Sequence, residues 1–281
     1  MIPSLPPLIN IMLLSLVASL GTGLGGLIAI LRKPGRKSYG LLMGITAGVM
    51  ICLSFLELVN KAWELAGPVT ATIGFGIGAT FMFLLDHFAP HIRFGEEEIP
   101  GREDEPCLDM PAGTHQERRH RGWLRQGSLP FDRKLVNTGL LLAVGITLHN
   151  LPEGIAVGAG YLENPQFGLF VAMAIMIHNI PEGIATALPL CKGGIRRRDA
   201  IRVSFLSGLA EPVGALIASL FLVRFNNLVP GALAFAGGVM VFITLDELIP
   251  TAREFGHEHY TAIGIILGSL FVFILSGMFG I

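Results

Sequence analysis

The sequence contains two nearly identical octapeptides, HNLPEGIA at residues 149–156 and HNIPEGIA at residues 178–185. Seven of their eight positions are identical, and the two copies are offset by 29 residues. Each copy lies within an apolar stretch that is long enough for one membrane-spanning helix. Because consecutive spans cross a bilayer in opposite directions, the duplication predicts two antiparallel helices that carry the same polar residues.

Seven polar residues are predicted to lie near the middle of three consecutive spans. They are His149, Asn150, Glu153, His178, Asn179, Glu182 and Glu211. No lysine or arginine occurs at the same depth to pair with the three carboxylates. An ionised carboxylate at the bilayer centre costs about 3 kcal/mol on insertion scales, so three approach ~9 kcal/mol. That is comparable to the net stability of an ordinary domain, so protons or bound cations must accompany these groups.

The spacing inside each octapeptide favours metal cations. Glu153 lies one helical turn from both His149 and Asn150, and the second copy repeats this relation. Imidazole with carboxylate suits Zn²⁺, Fe²⁺ and Co²⁺, whereas amide and carboxylate oxygens suit harder divalent ions. A single His or Asn in a membrane is more often an interhelical hydrogen-bonding group. This set is duplicated, acidic and without basic partners, so the sequence predicts a metal centre.

Two prolines lie inside the same spans. Pro152 and Pro181 cannot donate to the carbonyls of Leu148 and Ile177, four residues earlier. Freed carbonyls within a membrane need protein, water or an ion as partners. We therefore expect both helices to be broken beside the centre.

The overall composition is that of a membrane protein. The 281 residues are 52% hydrophobic and only 15% charged, with a mean hydropathy of +0.63. A net charge of −1 without a long basic run argues against a nucleic-acid partner. An all-α membrane protein with eight spans is predicted. The predicted spans are residues 8–31, 40–60, 69–90, 136–160, 167–190, 200–223, 230–250 and 261–281.

The basic residues predict how these spans are oriented. Alternate connections between the spans hold 18 and 2 of the 20 lysines and arginines. Basic loops stay on the cytoplasmic side, so both termini are expected outside the cytoplasm. The longest inner loop, residues 92–135, is polar and aperiodic and is expected to be disordered.

An internal repeat relates the beginning of the chain to its end. An offset of 190 places residues 47–64 on residues 237–254 with 7 of 18 identities, and an offset of 189 places residues 25–29 on 214–218. Spans 1–3 thus resemble spans 6–8 in the opposite orientation, which predicts an inverted 3+2+3 arrangement. The parts are residues 1–91, the loop 92–135, the central pair 136–190, and residues 200–281. Such symmetry is typical of secondary transporters with a midplane site.

Further polar residues lie nearer the ends of the spans and are candidates for an ion pathway. Glu57 is expected toward the outer end of span 2, and its repeat mate Glu247 toward the inner end of span 7. The other candidates, all predicted near the cytoplasmic face, are Asp86, His87, Asp246 and His257. Ordinary interfacial polar residues are an equally good interpretation of this inner group.

Other functional classes fit less well. An intramembrane metalloprotease would need HExxH spacing, which is missing, so an enzyme is not expected. ATP coupling is not expected because no GxxxxGK[ST] motif occurs. A proton- or sodium-coupled cation antiporter stays open as the alternative, since its acids would work without imidazoles.

With its two HNxPEG elements, the chain resembles the ZIP (Zrt/Irt-like protein) family of divalent-metal transporters, and bacterial members in particular. The resemblance covers essentially all eight spans. It implies a plasma-membrane protein that forms homodimers and moves Zn²⁺ into the cytoplasm, with Fe²⁺, Cd²⁺, Mn²⁺ and Co²⁺ as other candidate cargoes. The ion is the substrate, so no cofactor is implied.

The resemblance also implies a binuclear site. One ion would be held by His149, Glu153, His178 and Glu182. The second would be held by Asn150, Glu153, Asn179, Glu182 and Glu211. Glu153 and Glu182 would then bridge the two ions, and four positive charges would face three carboxylates, which is close to balance.

Overall fold

A computed structural model of the chain describes residues 7–32, 35–88, 120–121, 124–125, 131–255 and 257–281. Within these ranges the fold is a bundle of α-helices. The helices are α1 (Pro7–Leu31), α2 (Arg36–Cys52), α3 (Asn60–Phe88), α4 (Arg133–Glu163), α5 (Pro165–Lys192), α6 (Arg197–Gly208), α7 (Ala210–Arg224), α8 (Val229–Ile243), α9 (Ile249–Phe255) and α10 (Glu258–Phe279). Two residue pairs, β1 (His120–Arg121) and β2 (Leu124–Arg125), form a short antiparallel ladder.

Seven helical segments of the described chain are long and apolar enough to cross a membrane. The longest, Lys37–His87, has 51 residues and would measure about 77 Å if it were straight, against a hydrocarbon thickness of about 30 Å. It is interrupted at Gly67, whose φ of 78° and ψ of 174° are readily adopted by glycine. Pro68 follows and suits the first position of a new helix. The length of this segment suits two crossings.

The outward faces of the bundle are covered by large apolar side chains. Val69 on α3 is 68% exposed and Ile274 on α10 is 63% exposed, and similar side chains surround both. An apolar surface this extensive is unfavourable in water and suits contact with lipid. The buried residues of α4 and α5 occupy the interior of the bundle.

Glycines bring α1 close to α5 and α7 close to α4. A Cβ atom on Gly25 would collide with the carbonyl oxygen of Ile180, and one on Gly214 would collide with that of Leu151. Gly25 and Gly214 are related by the offset of 189, and Leu151 and Ile180 by the offset of 29. The two helix pairs therefore have matching contacts, as an internal repeat requires.

The outer helices pair in the same way. A Cβ atom on Gly48 of α2 would collide with the carbonyl oxygen of Ile265 in α10. The offset of 190 turns this contact into that of Gly238 in α8 with Phe75 in α3, where the same collision would occur. Close backbone approach through small residues is a common way of packing helices in membranes.

These contacts lead to a stability prediction. Gly48→Val should force α2 away from α10 and destabilise the protein by about 2 kcal/mol, which lowers the melting temperature by roughly 4–8 °C. Gly76→Val is the matched control, because no atom lies within 4 Å of a Cβ at that position. Thermal unfolding of both variants in detergent checks the difference. Equal melting temperatures would contradict the packing described.

The expected breaks at the two octapeptide prolines are wrong. The α-helices α4 and α5 run continuously through Pro152 and Pro181. A missing hydrogen bond does not interrupt a membrane helix when neighbouring helices support its backbone. The interruption lies instead at Leu209, between α6 and α7, inside the predicted span 200–223. Pro212 follows the interruption and cannot donate to the carbonyl of Gly208, four residues earlier.

Two π-helical segments occur at positions related by the repeat. They are Leu53–Val59, between α2 and α3, and Thr244–Leu248, between α8 and α9. Each segment contains one of the repeat-related acids, Glu57 or Glu247. A π-helical turn has an extra residue, which rotates the following side chains, and such turns are frequent at functional sites.

The predicted inner loop, residues 92–135, lies mostly outside the described residues. The start of α4 is described, at Arg133 instead of the predicted 136. It is fixed by Asp132, whose carboxylate accepts hydrogen bonds from the backbone N–H groups of Lys134 (2.9 Å) and Leu135 (3.3 Å). The division into residues 1–91, 92–135, 136–190 and 200–281 stays a prediction.

Candidate metal centre

The seven residues predicted at the membrane midplane are all buried in the helix bundle. The most exposed of them is His149, at 4%. The first octapeptide contributes its residues from α4, the second from α5, and Glu211 lies in the first turn of α7. A Cβ atom on Gly154 would collide with the carbonyl oxygen of Glu211. This glycine therefore lets the start of α7 lie directly against α4, beside Glu153.

Three of these residues form a compact group. Glu153, His178 and Glu182 each offer one ligand atom, and the three atoms lie within 4.8 Å of one another. The shortest contact joins His178 Nε2 to Glu153 Oε1 at 3.0 Å. Among the residues described, no other group of three or more His, Cys, Asp or Glu side chains comes this close. One imidazole and two carboxylates at this spacing have the chemistry of a transition-metal site.

His149 has a partner that the sequence did not predict. Its Nε2 atom lies 3.6 Å from Oε1 of Glu247, which is 91% buried. Glu247 was predicted only as a pathway residue toward the inner end of its span. The structure places it against the centre, at the π-helical segment that follows α8. The internal repeat relates Glu247 to Glu57, but it does not indicate that Glu247 contacts His149.

Both asparagine side chains are anchored through their amide nitrogens. Asn150 Nδ2 donates to the backbone oxygen of Ser207 at 3.1 Å. Asn179 Nδ2 donates to the backbone oxygen of Ala18 at 3.3 Å and to Glu211 Oε2 at 2.9 Å. Because the nitrogens are used in this way, the amide oxygens are left as the free acceptors. An anchored amide oxygen is a suitable ligand for a divalent cation.

Six buried oxygen atoms in this region have no hydrogen-bond donor among the described residues. They are Asn150 Oδ1, Glu153 Oε2, Asn179 Oδ1, Glu182 Oε2, Glu211 Oε1 and Glu247 Oε2. Buried acceptors without a partner are rare and unfavourable. No lysine or arginine is found among the buried residues that the structure describes. A bound cation would satisfy these oxygens, as the sequence led us to expect.

The anchored asparagines lead to a prediction of unexpected sign. Asn150→Asp adds a negative charge, yet its carboxylate would face the Ser207 oxygen without a proton to donate. The ligand oxygen at position 150 would then lose the hydrogen bond that orients it. Loss of such an outer partner costs 10–100-fold in metal affinity, so Zn²⁺ affinity should fall about tenfold. Isothermal titration with Zn²⁺ checks this, with the exposed Asn227→Asp as control. Tighter binding by Asn150→Asp would show that the amide anchor is unimportant.

The remaining pathway candidates lie at helix ends or are exposed. Asp86 and His87 lie in the last turn of α3, Asp246 is exposed, and His257 precedes the first turn of α10 beside His259. Within the described parts of the chain, none of them belongs to a group of three metal-ligating side chains. Their role in a pathway stays a prediction.

Glu57 lies at a cavity of about 390 Å³, whereas Glu247 lies against the centre. The polar residues that line this cavity are Glu57, Asn60, Lys61, Glu64, Asn164 and Gln166. Lys61 lies 3.9 Å from Glu64 and 3.7 Å from Glu163. The cavity is therefore polar and carries charges of both signs.

Comparison with known proteins identifies the chain's family. The family model described as "ZIP Zinc transporter" matches residues 63–276. The chain belongs to the ZIP family. The match begins within α3 and includes both octapeptides and Glu211. This confirms the family resemblance that was carried by the two HNxPEG elements.

Several ZIP relatives match nearly the whole chain. A protein of Akkermansia muciniphila named "Zinc transporter ZupT" is 39% identical over 277 residues, which cover 94% of this chain and 96% of that protein. A protein of the same name from Clostridium perfringens is 37% identical over 268 residues, or 91% of each chain. Another, from Oceanobacillus iheyensis, is 39% identical over 267 residues, or 91% of this chain and 92% of the relative. These are bacterial ZIP proteins.

Family membership and the apolar helices together make this ZIP protein an integral, multi-pass membrane protein. The family is one of transporters, which confirms that the chain is not an enzyme. The buried acids therefore lie within a membrane protein, where an ionised carboxylate is unfavourable unless a cation accompanies it.

Proposed function

We propose that this protein is a secondary transporter that moves Zn²⁺ across the bacterial plasma membrane into the cytoplasm. The observation that carries the proposal is the buried group of Glu153, His178 and Glu182, whose ligand atoms lie within 4.8 Å of one another. Fe²⁺, Cd²⁺, Mn²⁺ and Co²⁺ are further candidate cargoes, because imidazole and carboxylate ligands bind all of them. The relatives named as zinc transporters favour Zn²⁺.

The cargo site is proposed to hold two ions. His149 and His178 would share the first ion with Glu153 and Glu182, and the asparagines and Glu211 would bind the second together with the same two glutamates. Supporting this division, His178 contacts Glu153 while Asn179 contacts Glu211. The free amide and carboxylate oxygens supply the oxygen ligands that the second position requires.

The proposed topology is eight spans in an inverted 3+2+3 arrangement, with both termini outside. The break at Gly67 supports a division of the longest segment into two spans. The direction of helix packing also supports it. Gly44 packs on Thr261 and Gly48 on Ile265, so contacts advance by four residues along both helices and α2 runs parallel to α10. Spans 2 and 8 of an eight-span chain must be parallel.

The proposed path starts at the cavity beside Glu57 and ends near Glu247, Asp246, Asp86 and His87. The cavity of about 390 Å³ provides an aqueous approach at one end. On the inner side, the contact between Glu247 and His149 would close the centre. Repeat-related helices would exchange these two arrangements during transport, which is how inverted repeats give alternating access. A homodimer stays a prediction.

Purified protein in liposomes loaded with a zinc-sensitive dye tests the proposal. External Zn²⁺ should raise the internal signal above that of empty liposomes, and added Fe²⁺, Cd²⁺, Mn²⁺ or Co²⁺ should compete according to affinity. Absence of Zn²⁺ flux, in protein that is monodisperse before reconstitution, would overturn the proposed function.

A further inference from the structure

Thr22 of α1 is a buried polar residue outside the seven polar residues of the metal centre. It is fully buried, and its hydroxyl oxygen has no hydrogen-bond partner among the described residues. In helices, a threonine hydroxyl can bond to a carbonyl in the preceding turn. Thr22 does not do so here, although the hydroxyls of Ser15 and Ser19 on the same helix do. A buried hydroxyl without a hydrogen-bond partner is unfavourable, so we expect a partner for Thr22.

The repeat assigns Thr22 to a definite position. The offset of 189 places Thr22 on Glu211. The backbones agree with this alignment, because a Cβ on Gly183 would collide with the carbonyl oxygen of Thr22, and one on Gly154 would collide with that of Glu211. Gly154 and Gly183 are themselves related by the offset of 29. Thr22 and Glu211 therefore occupy equivalent positions on opposite sides of the central helix pair.

The asparagine anchors repeat the same symmetry. Asn179 donates to the backbone oxygen of Ala18, and Asn150 to that of Ser207. Ala18 lies four residues before Thr22, as Ser207 lies four before Glu211. Both carbonyls are thus one turn from the residue in question, and both asparagines are held in matching ways.

Asn179 makes a second contact, and the symmetry-equivalent contact of Asn150 would involve Thr22. Asn179 also donates to the Glu211 carboxylate, so the residue that corresponds to Glu211 beside Asn150 is Thr22. A Cβ on Gly208, the residue after Ser207, would lie 2.9 Å from Thr22 Oγ1. The hydroxyl is therefore next to the segment that anchors Asn150.

We propose that the Thr22 hydroxyl holds a water molecule that is a ligand of the second ion, on the side opposite Glu211. A glutamate side chain is two bonds longer than that of threonine and reaches about 2.5 Å further, which is close to the ~2.8 Å length of a hydrogen bond to water. One water therefore replaces the part of the side chain that Thr22 lacks. The inference depends on the proposed two-ion site and extends its ligand set.

The consequence is a site that is charged on one side and neutral on the other. Glu211 supplies a carboxylate, whereas Thr22 supplies only an oriented water. A second glutamate would add a fourth negative charge to the centre and hold the ion more tightly. A neutral ligand keeps the ion bound weakly enough to leave, which transport requires.

The test compares Thr22→Val, which keeps the shape but removes the hydroxyl, with Thr22→Ser, which keeps the hydroxyl. Zn²⁺ titration of the purified full-length chain should give two binding events for the parent protein. In Thr22→Val one event should weaken at least about tenfold, as loss of an outer partner of a metal ligand usually does. The other event should be unchanged and reports intact folding. Ser19→Ala is the control, since it removes another buried hydroxyl of α1.

Two events of parental affinity in Thr22→Val would overturn the inference, and so would equal weakening in Thr22→Val and Thr22→Ser. A single event in the parent protein would overturn it as well, because no second ion would exist. Absence of any Zn²⁺ binding in the parent would be the failure of the proposed function itself. X-ray absorption at the zinc edge should show fewer oxygen ligands per ion in Thr22→Val than in Thr22→Ser.

Discussion

Glu153→Gln is expected to lower Zn²⁺ flux into proteoliposomes by at least about 100-fold. That figure is the upper end of what loss of an outer partner of a metal ligand costs, and Glu153 is proposed as a direct ligand of both ions. Glutamine keeps the size of the side chain but removes its charge. The contact at 3.0 Å from Glu153 Oε1 to His178 Nε2 would also lose its electrostatic attraction. Initial rates of dye signal at fixed external Zn²⁺ measure the effect.

Thermal stability provides the second measurement on the same variant. Zn²⁺ at 100 times its dissociation constant should stabilise the parent protein by ~2.7 kcal/mol, and this gain should vanish in Glu153→Gln. In chelator, the variant should unfold at a higher temperature than the parent, because one of several crowded buried carboxylates has been neutralised. Glu258→Gln, an exposed acid in the first turn of α10, is the control and should change neither quantity.

If Glu153→Gln transported Zn²⁺ at the parental rate, the buried carboxylates would not be ligands of the cargo. A variant that lost flux but kept the full thermal stabilisation by Zn²⁺ would contradict the proposal in a different way. It would mean that Glu153 acts in the movement of the protein and not in binding. The two measurements therefore separate the ligand role from a conformational one.

The parts of the centre that could be predicted from the sequence are those set by helical periodicity. The positions of His178, Asn179 and Glu182 within one turn follow from spacing alone, and the duplication identifies the partner helix. Burial also followed, because apolar residues surround each octapeptide on both sides. The contact of His178 with Glu153 agrees with two antiparallel helices whose polar faces meet.

Helix interruptions could not be predicted in the same way. Pro152, Pro181 and Pro212 have the same local effect on the backbone, yet only Pro212 is accompanied by a break. Whether a helix continues past proline depends on the support that neighbouring helices give to the freed carbonyl. That support is a property of the tertiary structure, so inspection of the span itself could not distinguish the three cases.

The position of Glu247 also lay beyond sequence reasoning. Regular α-helical geometry from Met240 onward would give one direction for its side chain, and the π-helical segment Thr244–Leu248 gives another. The extra residue rotates the chain at that point, so Asp246 is exposed while Glu247 contacts His149. The repeat showed that Glu57 and Glu247 correspond, but the extra residue in their π-helical segments cannot be recognised from the sequence.

The double variant His149→Ala with His178→Ala is expected to lower Zn²⁺ affinity by at least about 100-fold. Loss of an outer partner of a metal ligand costs 10–100-fold in affinity, and loss of each imidazole ligand should cost at least about tenfold. Removal of both should also shift the preference toward harder ions, because only oxygen ligands remain. Competition between Zn²⁺ and Mn²⁺ in the flux assay measures this shift. His259→Ala removes an exposed histidine that lies outside the proposed path and serves as control.

The double variant of His149 and His178 also distinguishes a zinc transporter from the alternative of a proton- or sodium-coupled antiporter. An antiporter would use Glu153, Glu182 and Glu211 without imidazoles, so its ion flux should survive loss of both histidines. A transporter that binds its cargo through His149 and His178 should lose Zn²⁺ flux while its folding is preserved. Parental cation flux in the double histidine variant, combined with loss of flux in Glu153→Gln, would therefore favour the antiporter and reject zinc as the cargo of this centre.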